Sequence, residues 1–179
     1  MKEIWSLQCH ASALCNPKAV SILSASADAT LKIWSVGTGS GKKQALGLVL
    51  LETIKLTDEA TCAGFSPSGK LIAVALLDNT IQLLHADSKK LYLPLFAHAL
   101  PVLTFDISSD DALLVSGSAD KTIKLWGVDF GDVHRSLLAH SEPVTCVRFV
   151  PNTHYFFSAS RDGFVKYFDA DTVSCKPLT

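Results

Sequence analysis

Long apolar runs are missing from this 179-residue chain. Its hydrophobic residues make up 48% of the sequence but fall in strand-length pieces, far short of the ~18 consecutive positions a membrane-spanning helix needs. No membrane partner is expected. Amphipathic helical periodicity is also absent, which leaves a chain built of strands and turns. Charge is sparse and balanced, with 16 Lys and Arg against 17 Asp and Glu and a net charge of −1. A domain that held nucleic acid through phosphate contacts alone would show a basic excess. The small basic pairs Lys42-Lys43 and Lys89-Lys90 lie in predicted loops and read as solvated surface, touching RNA only inside a larger assembly. Met1-Lys2-Glu3 leads directly into a predicted strand, without the architecture of a signal peptide.

The five cysteines, Cys9, Cys15, Cys62, Cys146 and Cys175, are odd in number and form no C-x-x-C pair. A disulfide framework is therefore not expected, and unpaired thiols point to a reducing compartment, cytosol or nucleus. Cys9, Cys62 and Cys146 fall in predicted first strands, where a small apolar residue suits a core. The six histidines do not cluster with the cysteines at metal-ligand spacing, so no zinc site is expected. With 18% charged residues beside the 48% hydrophobic, the composition is that of a folded domain. No cofactor and no small-molecule substrate are expected.

What the chain does contain is one pattern, S-x-D-x-x-φ-K-φ-aromatic with φ apolar, said three times. It runs from Ser26 through Asp28 to Trp34, from Ser118 through Asp120 to Trp126, and from Ser160 through Asp162 to Phe168. An eroded copy runs from Leu76 through Asp78 to Leu84. The aspartates at 28, 78, 120 and 162 are spaced by 50, 42 and 42 residues, and periods of about 40–45 residues built from short strands mark propeller blades. The repeats run approximately 1–55, 56–97, 98–139 and 140–179.

Each copy reads as strand, tight turn, strand. Leu113–Ser118 is a strand-length run, Ala119-Asp120-Lys121 is turn chemistry, and Thr122–Trp126 alternates polar and apolar as a half-buried strand does. The turn aspartate is short enough to bond its own backbone. A strand precedes each unit, as at Val102–Ile107 and Val144–Phe149, and another follows, as at Arg135–Leu138. Four antiparallel strands per repeat describe an all-β propeller.

These marks resemble the WD-repeat family. Ala97-His98 and Ala139-His140 stand where that family has Gly-His, and Trp126-Gly127 and Phe168-Asp169 stand where it has Trp-Asp. His98 precedes Asp120 by 22 residues, as His140 precedes Asp162. The resemblance implies a buried hydrogen-bonded network of histidine, strand serine, turn aspartate and tryptophan. Its best copy here would join His98, Ser116 or Ser118, Asp120 and Trp126. His140, Asp162 and Phe168 would form a weaker copy, and Asp28 with Trp34, and Asp78 alone, the remnants in the first two repeats. The second repeat has Leu56 where the histidine would stand and Leu84 in place of tryptophan.

A serine, histidine and aspartate together invite a catalytic reading. The set recurs at blade period, however, whereas a hydrolase needs one exposed nucleophile, so a structural role is expected and enzymatic activity is not. Asp129-Phe130-Gly131 spells the kinase magnesium triplet without the glycine-rich loop, strand lysine or H-R-D motif that give it meaning. The run from Gly37 to Lys43 suggests a phosphate loop, but Val36 and Lys43 stand where that motif needs glycine and Ser/Thr.

Four repeats of this kind are expected to form an open arc, part of a larger seven-bladed propeller. A self-contained four-bladed ring and a homodimer completing eight blades are the alternatives. The segment W-G-x-D-F-G-D-x-H-R-S-L, from Trp126 to Leu137, is not shared by WD repeats at large. It is similar to one branch of the family, scaffold subunits of the small-subunit processome. The resemblance implies a nucleolar scaffold in pre-18S rRNA processing and small-subunit assembly, with UtpB-type protein subunits, pre-rRNA and small nucleolar RNA as partners. The other reading is a generic WD adaptor, such as a ubiquitin-ligase substrate receptor or signalling scaffold. Leu100, Pro101, Glu142, Pro143 and Arg161, on loops before first strands and at the turns, would then read a peptide.

Overall fold

The computed structural model describes residues 4–11, 20–38, 46–96, 98–172 and 175–177. Among the described residues sixteen strands form four sheets, each a meander of four antiparallel neighbours in chain order. The first blade comprises β1 (Ile4–Ala11), β2 (Val20–Ser26), β3 (Thr30–Thr38) and β4 (Leu46–Lys55). The second comprises β5 (Ala60–Phe65), β6 (Leu71–Leu76), β7 (Thr80–His85) and β8 (Leu91–Phe96). The third comprises β9 (Val102–Ile107), β10 (Leu113–Ser118), β11 (Ile123–Gly127) and β12 (Val133–Leu137). The fourth comprises β13 (Val144–Phe149), β14 (Tyr155–Ser160), β15 (Val165–Asp169) and β16 (Cys175–Pro177). The glycine-rich run of residues 39–43, with Lys42-Lys43, lies outside the described residues, as do Cys15 and Ala97.

The aspartate common to all four copies explains the turn between second and third strands. Asp28, Asp78, Asp120 and Asp162 each accept the amide two residues on, at 3.1, 3.0, 2.9 and 3.0 Å. The residue after each aspartate is left-handed: Ala29 at φ 58°, Asn79 at 72°, Lys121 at 71° and Gly163 at 83°. Such a φ costs a side chain, so the turn depends on the carboxylate that fastens it. The serine of the motif closes the other side. Ser26, Ser118 and Ser160 accept from the aspartate's own amide at 3.3, 3.0 and 3.2 Å.

Apolar side chains lie between blades. Leu23, Ala25, Leu31 and Ile33 of the first blade meet Ile72, Val74, Leu76 and Leu84 of the second. On the opposite face of β6, Leu71, Ala73 and Ala75 meet Val102, Phe105, Leu114 and Trp126 of the third. Leu113, Val115, Ile123 and Leu125 then meet Val147, Phe149, Phe156 and Phe168 of the fourth. Because successive strand residues point to opposite faces, a second strand covered on both sides buries every position, as β6 and β10 do.

Packing runs from β1 and β2 to β5, from β5 and β6 to β9, and from β9 and β10 to β13, so the four described blades form an open arc. Cys146 is exposed, contrary to the core position expected from the sequence. It sits beyond a bulge in β13, with its side chain away from the third blade. The equivalent Cys62 packs against the cluster between the second and third blades; no described blade covers Cys146.

The seam between the third and fourth blades depends on the missing side chain of Gly117. A Cβ there would lie 2.6 Å from Val144 Cγ1 and 3.0 Å from Thr104 Cγ2. Gly117→Val is therefore expected to destabilise the fold by about 1–3 kcal/mol through overpacking. Denaturant unfolding checks this, and an unchanged midpoint would show that the seam is loose.

Candidate functional site

In the third and fourth blades the chemistry-bearing residues gather where the entering loop crosses the second and third strands. In the third blade, His98 Nδ1 lies 2.9 Å from Asp120 Oδ2, His98 Nε2 lies 2.7 Å from Ser116 Oγ, and Trp126 Nε1 donates to Ser116 Oγ at 2.8 Å. Proton directions follow from the end groups. An ionised carboxylate only accepts and an indole N–H only donates. Asp120 therefore takes the proton on Nδ1, leaving Nε2 of a neutral ring to accept from the Ser116 hydroxyl, which itself accepts from the indole. Burial lowers the His98 pKa, outweighing the opposing pull of Asp120, and favours this neutral ring. Burial pushes Asp120 upward, but bonds from the Thr122 hydroxyl, the Ala99 amide, His98 and the Thr122 amide outweigh it and hold the carboxyl at about 2.

Ser116, and not Ser118, is the network serine. Ser118 donates to the carbonyls of Leu100 and Pro101 at 2.8 and 3.0 Å, stapling the turn to the entering loop. The fourth blade repeats the arrangement with His140 Nδ1 at 2.8 Å from Asp162 and Nε2 at 2.7 Å from Ser158 Oγ. Ser158, absent from the sequence-derived set, occupies the register of Ser116 one 42-residue period on. Phe168 has no N–H to give; it is 3% exposed and stacks on Phe156 at a centroid distance of 5.1 Å. In the first blade, Trp34 Nε1 donates to Ser24 Oγ at 2.9 Å. Asp78 bonds the Thr80 amide and hydroxyl, while Leu84 is buried in the apolar cluster.

The networks are closed to substrate. Ser116 is 0% exposed and Ser158 1%, so neither hydroxyl has room for an approaching acyl or phosphoryl group. Among the described residues, no group of three His, Cys, Asp or Glu side chains is placed to hold a metal. Phe130, by contrast, stands 85% exposed in the β11–β12 turn, which the Gly131 amide closes onto the Gly127 carbonyl at 2.9 Å.

The residues expected to face a partner divide by atom. Main-chain carbonyls of Pro101 and Pro143 accept from Ala119 and Arg161 amides, and that of Glu142 accepts from Ser160 Oγ. The Leu100, Glu142 and Arg161 side chains remain exposed, with Glu142 3.7 Å from Lys121 Nζ. Leu77 is exposed as well and lines an apolar cleft of about 380 Å³ with Ala60 and Leu103. Lys89 is spent on its own turn, donating to the Ala86 carbonyl.

Comparison with known proteins adds what geometry alone does not. The sequence model of a family described as the WDR3 second beta-propeller domain matches residues 1–176. The chain is 41% identical over 93 residues to U3 small nucleolar RNA-associated protein 12 of Saccharomyces cerevisiae, covering 48% of this chain and 10% of that protein. It is 40% identical over 105 residues to the WD repeat-containing protein 3 homolog of Dictyostelium discoideum, covering 56% of this chain and 10% of that protein. Over 79 residues it is 38% identical to human WD repeat-containing protein 3, covering 42% and 8% of the two chains. The matched stretch is thus about a tenth of the length of these relatives.

Proposed function

The chain belongs to the WDR3 second beta-propeller domain family, and we propose on that footing that it is a rigid, non-enzymatic scaffold in ribosome biogenesis. The observation that carries the reading is the family match across residues 1–176. The yeast relative's name ties that protein to U3 small nucleolar RNA. The proposed setting is the small-subunit processome in the nucleolus, acting in pre-18S rRNA processing and small-subunit assembly. Its partners there are UtpB-type protein subunits, with pre-rRNA and small nucleolar RNA inside the assembly.

Two physical features support scaffolding. Each Ser-His-Asp set is consumed in holding a blade together, and a net charge of −1 favours protein contacts over a broad phosphate-binding face. The exposed side chains of Leu100, Leu77, Glu142 and Arg161 supply the mixed apolar and charged surface that such contacts use.

Affinity purification of the tagged protein from cell extract tests the proposal. Co-purification of U3 small nucleolar RNA, pre-rRNA and processome proteins is expected, with the RNA lost more readily than the proteins as salt rises. Recovery of ubiquitin-ligase or signalling partners without pre-ribosomal RNA would replace it with the generic adaptor reading.

A further inference from the structure

On the side of the arc opposite the aspartate turns, an imidazole ties the third blade to the fourth. His154, in the β13–β14 loop, has Nε2 2.9 Å from Asp110 Oδ2 and Nδ1 2.9 Å from Asp171 Oδ1. Asp110 belongs to the β9–β10 loop of the neighbouring blade, and Asp171 follows β15. Both oxygens are carboxylate acceptors. A neutral imidazole has one N–H and would turn a lone pair toward the other carboxylate; the imidazolium donates to both.

Each participant is held by its own blade. Asp110 accepts from Ser108 Oγ at 2.6 Å and from the Ala112 amide at 3.1 Å. The His154 carbonyl accepts from the Ala170 amide at 3.0 Å. Beside them, the Asn152 amide crosses the seam to Ser109 Oγ at 2.9 Å. The preceding seam uses the same loop differently. Asp111 accepts there from Ser66 Oγ, Ser68 Oγ and the Ser68 amide, donors that do not titrate near neutral pH.

We propose that His154 is a pH-dependent clasp between the third and fourth blades, closed as imidazolium and released on deprotonation. The other charged groups nearby are engaged with partners of their own. Asp169 lies beside Asp171 and accepts its amide at 3.0 Å. Asp132 and His134, themselves paired at 3.2 Å, line the adjoining cleft with Asp171. Asp106 accepts from the Phe149 amide deeper in the seam, and the Arg148 guanidinium donates to the Phe105 carbonyl. Asp111 is engaged by the second blade.

The sign follows from the hydrogen bonds. Those that His154 donates to Asp110 and Asp171 raise its pKa above the ordinary 6.5. The bonds from Ser108 and His154 push Asp110 well below the usual carboxylate range. The clasp's contribution is therefore fully present below the unfolded histidine's pKa and is lost as pH rises through the raised folded value. On the acid side the arm to Asp110 persists until that carboxyl protonates, below the usual carboxylate range. With side chains 34%, 51% and 66% exposed, the effect is local to the seam and weakens with salt.

Hydrogen–deuterium exchange of the full chain, read by mass spectrometry at about pH 5.5 and about pH 8.5 on either side of the histidine range, tests this. After correction for intrinsic exchange, segments 108–112 and 150–156 should lose protection several-fold at the higher pH. Segment 66–71, held by the second seam, should not. His154→Gln should be weakly protected at both values, and His154→Lys, charged at both, should exceed His154→Gln at the higher one. A wild-type seam indifferent to pH, or the same response in His154→Gln as in wild type, would overturn the clasp.

Discussion

Trp126→Ala is expected to lower the stability of the fold by about 3–5 kcal/mol, the range for removing a fully buried large aromatic. The indole is 1% exposed and fills the interface of the second and third blades among Ala73, Leu83, Phe105 and Leu114. The surrounding strands, held in register by their ladders, relax only partly into the void. Truncation also takes from Ser116 the N–H that donates to it at 2.8 Å. Trp126→Phe goes far to separate the two effects, since it restores most of the volume while removing the donor. Its expected cost is about 1 kcal/mol, the net worth of an ordinary hydrogen bond. Phe168 shows that the fold accommodates such a ring, buried at the equivalent position against Phe156. Denaturant unfolding of both variants beside the wild type decides the matter. Equal losses would mean that the indole N–H, not its bulk, dominates.

Asp120→Ala should cost about 3 kcal/mol, and Asp162→Ala less. Asp120 accepts four bonds, from His98 Nδ1, the Ala99 amide, the Thr122 amide and the Thr122 hydroxyl. Asp162 accepts three, from His140 Nδ1 and the amides of Ser141 and Phe164. Removing either carboxylate leaves a buried imidazole N–H without its partner, at about 1–3 kcal/mol, and unfastens a turn that holds a left-handed residue. Only in the third blade does the disturbance also reach an indole N–H through Ser116. A loss at Asp162 equal to or larger than that at Asp120 would refute the role given to Trp126.

Acid titration reads the contribution of Asp120 itself; it does not separate the two blades, because the bonds to Asp162 hold that carboxyl at about 2 as well. Asp120 is held at about 2 against an ordinary 3.8. It therefore supplies stability above the unfolded value, on the order of 2 kcal/mol by linkage, that disappears as pH falls toward about 2. Unfolding midpoints measured down that range should fall less steeply for Asp120→Ala than for the wild type.

The two serines of β10 show how far the linear pattern reaches. Ser116 and Ser118 are two residues apart, on the same face of a strand, and both are 0% exposed. Period and composition cannot separate them. The path of the entering loop does, bringing Leu100 and Pro101 over Ser118 and the His98 ring over Ser116. Ser158 was legible by the same 42-residue period but lacked the tryptophan that marks its counterpart.

By itself the sequence determined the strands, the four turns and their grouping into blades. These depend on neighbours within a few residues: alternation of apolar positions, an aspartate that bonds the amide two residues on, and a residue that tolerates positive φ. Only the tertiary structure decided which face of each strand is covered, and hence why Cys62 packs into a seam while Cys146 is exposed. It alone brought Asp110 and Asp171 to His154, across 44 and 17 residues of chain. The contact to Asp110 leaves no local signature, because it is made by the stacking of one blade on the next, whereas the contact to Asp171 closes within the fourth blade.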